Sequence, residues 1–193
     1  MLGVTLLTSV DVMADLLKTY RESIKDAEPA GAFINNQTAV FTFVHCAETT
    51  KKAIENGAAA AAAWYANTIV HFFELEQRLL ALTEGLEQDP AGLGMAGQLT
   101  TENAPKPGGG MQLVRRLAKG EDISPEEMFE VLNGEDSVII GDPDTCRRKM
   151  NHYRDIGCDR LMCFQQVGGL PHQAIMDSIR LVGQHLIPAF SPK

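Results

Sequence analysis

Three places in this chain hold side chains able to do chemistry next to a turn. His45 and Cys46 close the run TAVFTFVHC. A histidine there can exchange a proton near neutral pH, and a neighbouring thiol can act as a nucleophile if a cation lowers its pKa. No carboxylate–His–nucleophile order surrounds them and no Lys or Arg lies next to Cys46, so a structural His45 is the stronger reading. Gln165-Gln166 precede Gly168-Gly169, with His172 just beyond. A glycine turn before a helix can cradle an anion through its backbone N–H groups, although GGLPH lacks the GxGxxG spacing and turn geometry alone accounts for both glycines. Leu7, Thr8 and Ser9 end an apolar run that opens the chain.

These places acquire meaning from the elements that hold them. Residues 141–190 read as one βα unit. Asp142-Pro143 starts a helix with Cys146, Met150 and Tyr153 on its apolar stripe, and Gly157 closes it. Leu161 to Phe164 is a continuous apolar run, the pattern of a strand buried on both faces. Pro171 suits a first helical turn, and Ile175, Ile179, Val182 and Leu186 recur at helical spacing. Upstream, Val4–Leu7 reads as a strand and Asp11 as the cap of a helix with Val12, Leu16, Leu17, Tyr20 and Ile24 on one face. Thr38–Cys46, rich in β-branched and aromatic residues, is the clearest strand. A long helix is expected from about Glu48 through the alanine run, despite Gly57. Residues 83–111 are rich in Gly and Pro and have little periodicity, as a lid, a binding loop or a linker would. Short helices are expected at Leu113–Lys119 and Ser124–Leu132, and Val138-Ile139-Ile140 is a short apolar segment leading into Gly141.

The sum is three parallel βα units in one domain across residues 1–193. The strands are expected near 3–8, 38–46 and 159–165, with helices over one face and the site at the strand C-terminal ends. Three strands cannot close a barrel, and the outer edges need partners, so the chain reads as part of something larger.

Composition narrows the class. The chain has 193 residues, 45% hydrophobic, with a formal net charge of −8 and no long basic run, which argues against nucleic acid. Arg147-Arg148-Lys149 reads as a solvated helix face. No apolar stretch reaches the roughly 20 residues of a membrane span, and the start lacks a signal-peptide pattern. Cys46, Cys146, Cys158 and Cys163 lack CxxC spacing, which reads as free thiols and predicts a cytoplasmic protein without bound metal.

The order of Gly141-Asp142-Pro143, Gly157-Cys158-Asp159, Gly168-Gly169-Leu170-Pro171 and Leu186-Ile187-Pro188-Ala189-Phe190 resembles the C-terminal end of the bacterial luciferase-like, flavin-dependent monooxygenases. FTFVHCAETTKKAIENG is similar to that family's seventh strand and following helix, and GVTLL with LLKTYRESIKDA to its sixth strand and helix. The resemblance implies the C-terminal portion of a (β/α)8 TIM barrel, incomplete here, with the 83–111 insertion in the place of the family's mobile loop. It implies reduced FMN, or in some branches a deazaflavin, and insertion of one oxygen atom into a small organic substrate. Leu7 and Thr8 match positions against the flavin ring system. Trp64 matches a tryptophan that reaches toward the flavin in some members, with helix-to-barrel packing the competing account of it. The partners implied are flavin, a small-molecule substrate, and either further copies of the chain or a missing N-terminal half. The alternative is a non-catalytic half-barrel that serves as an association module.

Overall fold

The computed structural model describes residues 1–5, 9–28, 31–72, 109–134 and 136–190. Leu7, Thr8 and nearly all of the 83–111 insertion lie outside the described residues; residues 109–111 open a helix.

The strands are β1 (Leu2–Val4), β2 (Ala39–Cys46), β3 (Ile139–Gly141) and β4 (Arg160–Phe164). The helices are α1 (Val10–Ser23), α2 (Thr50–Glu55), α3 (Ala58–Phe72), α4 (Gly109–Ala118), α5 (Pro125–Gly134), α6 (Pro143–Asp155), α7 (His172–Leu181) and α8 (Ile187–Phe190). A π-helical turn, Val182–Leu186, joins the last two.

β2 is the centre of an all-parallel sheet. Leu2 pairs with Ala39 and Val4 with Phe41, while Arg160 pairs with Ala39 and Phe164 with Phe43. β1 and β4 share the same stretch of β2, so they occupy its opposite edges. β3 pairs with the C-terminal half, Val44 to Cys46. The arrangement is a parallel α/β sheet compatible with part of an α/β barrel. The short segment before Gly141, too brief to show a period in sequence, forms a fourth strand.

Alternation along β2 divides the core. Val40, Val44 and Cys46 point to one face with Ile139, against α1, α6 and the π turn. Phe43 points to the other with Ile140, against α3, α4 and α5. Helices therefore pack on both faces rather than one, because the alanines of α3 let its backbone lie close over Phe43. That cover leaves Leu2 at the start of β1 and Met162 in the middle of β4 exposed.

Several local expectations change. Ser9, not Asp11, caps α1 by accepting the Val12 N–H, and Val10, Met13 and Leu17 form the buried face while Leu16 is exposed. The long helix breaks at Asn56-Gly57, where Gly57 takes φ +81 beyond the end of α2. No residue of β4 is fully buried, because β4 has no second neighbour among the described residues. Lys149 is not solvated: it is buried beneath α6, its Nζ 3.0 Å from Asp136 and donating to the carbonyls of Asn133 and Val138. In α7 Ser178 is buried and Ile179 exposed, a rotation of the apolar stripe by one residue. No helix among the described residues is long and apolar enough to cross a membrane.

Candidate functional site

The C-terminal ends of β2, β3 and β4 meet the starts of α2, α6 and α7. β3 runs into Asp142, whose carboxylate caps α6 by accepting the Thr145 N–H at 2.8 Å and also accepts the Thr50 hydroxyl at 2.6 Å. Thr50 in turn accepts the Asp142 N–H, so one hydroxyl and one carboxylate lock α2 to α6. These donors, the Thr50 hydroxyl first, hold the Asp142 pKa below the ordinary carboxylate range.

His45 is fully buried at the end of β2, and its Nε2 lies 3.1 Å from the Asn56 amide. Its Nδ1 has no hydrogen-bond partner. Burial pushes its pKa down to about 4, so the ring is neutral at pH 7. A sealed, neutral histidine with one orphaned nitrogen suits structure better than proton transfer. The N–H of the next residue, Cys46, donates to Ser178 Oγ at 2.9 Å, and Ser178 donates to Gln165 Oε1 at 2.8 Å. Three elements are joined by that relay, and the oxygen of Gln165 is occupied by it.

Beside this relay lies a cavity of about 620 Å³ between α2 and α7. Cys46, Asn56 and Gln173 line it together with the charged side chains Glu48, Lys52, Asp177 and Arg180. The cations Lys52 and Arg180 each face a carboxylate of their own helix, Glu55 at 3.9 Å and Asp177 at 2.6 Å. Neither is positioned as a dedicated grip for an anion.

Of the three residues matched to flavin contacts, the structure describes Trp64. It sits on α3, 54% exposed, with its ring edge against the turn after β4. A Cβ built on Gly168 would lie 3.3 Å from Trp64 Cε3 and 3.8 Å from Ala61, so this glycine lets the indole settle on the turn. Gly168 also takes φ +55, the left-handed region that favours glycine. Trp64 is thus at the strand-end face, but it is not among the residues lining the cavity. His172 is exposed at the start of α7. No group of three or more metal-ligating side chains occurs among the described residues.

Ser178, Asn56 and Lys52 were not singled out from sequence. Ser178 did leave a trace: it is the polar residue that interrupts Ile175, Val182 and Leu186 at helical spacing.

No protein-family model matches the sequence. No curated protein matches it either. Among solved structures, the chain is similar to monooxygenase RslO1 from Streptomyces bottropensis, with a TM-score of 0.56 and 13% identity. That match covers 98% of this chain and 41% of the neighbour's. The likeness is one of fold, and the chain spans about two-fifths of the neighbour's length.

Proposed function

We propose that this chain forms part of a flavin-dependent monooxygenase of the luciferase-like kind. The observation that carries the reading is Trp64, half-exposed on the strand-end face of a parallel α/β sheet whose fold resembles part of a monooxygenase. When bound, reduced FMN would supply two electrons to dioxygen, so that one oxygen atom enters a small organic substrate and the other leaves as water, whereas a reduced deazaflavin would supply a hydride.

The residues present fit the ring of such a cofactor better than its phosphate. A flat aromatic system can stack on the exposed part of Trp64, whose indole is seated against the Gly168 turn. The two cations that line the strand-end cavity, Lys52 and Arg180, face Glu55, which Lys51 shares, and Asp177, and Trp64 does not line that cavity. What this chain contributes is a rigid floor. Asp142 and Thr50 fix the helix starts, the Cys46–Ser178–Gln165 relay ties the ends of β2 and β4 to α7, and buried His45 holds Asn56. Among the described residues no side chain is assigned the part of a catalytic base.

A second reading, a non-catalytic association module, is favoured by one observation: the chain matches 41% of its structural neighbour. Flavin titration separates the two. On the enzyme reading, adding the N-terminal half of a related enzyme raises flavin affinity and thermal stability together, because ligand binding and folding are linked. Unchanged flavin affinity in the presence of that half would remove the enzyme reading.

A further inference from the structure

Among the described residues β1, β3 and β4 each pair with β2 alone, and the surfaces beside β1 and β4 match each other. Unpaired edges of this kind invite another strand. At the β1 edge, α1 packs over Gly3 through Met13 and meets α6 on one flank, where Asp11 faces His152 at 4.0 Å. Its other flank carries Val12, Leu16 and Tyr20 away from α6; Leu16 is 47% exposed and Leu2 of β1 62% exposed. At the β4 edge, Met162 is 48% exposed. The α7 flank toward α2 lines the polar cavity, while the opposite flank presents Met176 and Ile179, continued by Ile187. Ile187 also borders an apolar groove of about 590 Å³ whose wall includes Leu161 and Cys163 of β4.

We infer that the occupant of the β4–α7 surface is the β1–α1 unit of a second copy of this chain. All strands run parallel, so a two-fold axis along the strand direction sets β4 of each copy beside β1 of the other. The two junctions pair the free edges of β1 and β4 and bury Leu16 against the Ile179 flank. Leu2 and Met162, on the sheet face that α3 leaves open, then turn inward. Two copies also approach the length of the structural neighbour, of which one copy matches 41%. The opposing force is the net charge of −8 on each copy, so salt tightens the dimer. None of this requires flavin, and its outcome is read apart from the monooxygenase reading.

Sedimentation velocity on the flavin-free chain over a range of concentration and salt tests it. The expected result is a limiting mass of twice the 21.0 kDa chain, favoured by salt. Leu16→Arg and Ile179→Arg, both at exposed positions, each weaken the dimer at least about tenfold while keeping a cooperative melt. Mixing the two variants restores part of the dimer, because one of its two junctions is then wild-type on both sides. Amide exchange in Leu2–Val4 and Arg160–Phe164 slows together as dimer forms, a readout independent of any variant. A monomer at all concentrations, an open series of larger oligomers, a dimer sensitive to only one substitution, or association only with the N-terminal half of a related enzyme would overturn the inference.

Discussion

Ser178 accepts the backbone N–H of Cys46 at 2.9 Å, a buried side chain completing a strand that the sheet itself leaves unpaired at that amide. The same hydroxyl donates to Gln165. Ser178→Ala leaves a buried donor without a partner and should cost about 1–3 kcal/mol. Chemical denaturation will show a lower midpoint with an unchanged slope. A midpoint equal to wild type would mean that water replaces the hydroxyl.

His45 predicts how the fold responds to acid. Its folded pKa of about 4 lies below the unfolded value of 6.5, so the unfolded chain binds the extra proton between them. The full contribution is present above pH 6.5 and is lost as pH falls toward 4, with a slope of about 1.4 kcal/mol per pH unit inside that window. His45→Gln should flatten the stability–pH curve between those limits. Parallel curves for the two proteins would show that His45 is not the group titrating.

Lys149 predicts a strong asymmetry between single and double substitutions. Burial lowers its pKa, and the Asp136 charge opposes that fall. Burial also works against the Asp136 carboxylate, but the charge and hydrogen bond of Lys149, aided by His152, hold its pKa below normal. Lys149→Met strands Asp136 and should cost about 3–5 kcal/mol, whereas Lys149→Met with Asp136→Asn should recover much of that loss. Additive losses in a double-mutant cycle would count against a coupled pair.

Gly168→Ala bears on the candidate ring site directly. The new Cβ meets Trp64 Cε3 at 3.3 Å in a left-handed backbone, costing roughly 1 kcal/mol and tilting the indole. Trp64 is the single tryptophan of the chain, so its emission reports the movement without interference. An unchanged spectrum would place the indole elsewhere.

How much of this was legible in sequence depends on whether the deciding interaction is local. TAVFTFVHC declared β2, and Asp142-Pro143 with Gly157 bracketed α6 nearly to the residue, because propensity and capping act within a few residues. Gly57 was legible as a weak point but not as a break, since continuation through a glycine is settled by what the next turn packs on. Arg147-Arg148-Lys149 looks uniformly polar, and only the return of the chain through Asp136 and Val138 makes the third cation a buried one. Leu161–Phe164 has the composition of a central strand, yet composition does not say whether a second neighbour is there. At the candidate site, Trp64 was put forward through resemblance, while the Ser178 relay depends on a one-residue rotation of α7 that apolar spacing did not resolve. Leu7 and Thr8 remain expectations from resemblance.

The most direct test of the flavin reading is a titration of Trp64 fluorescence with FMN and, in parallel, with riboflavin. Saturable quenching by both is expected, weaker than micromolar and within about threefold of each other, because Trp64 offers an exposed ring surface and does not line the cavity that holds Lys52 and Arg180. Quenching that never saturates, or sub-micromolar FMN binding that riboflavin cannot match, would contradict it.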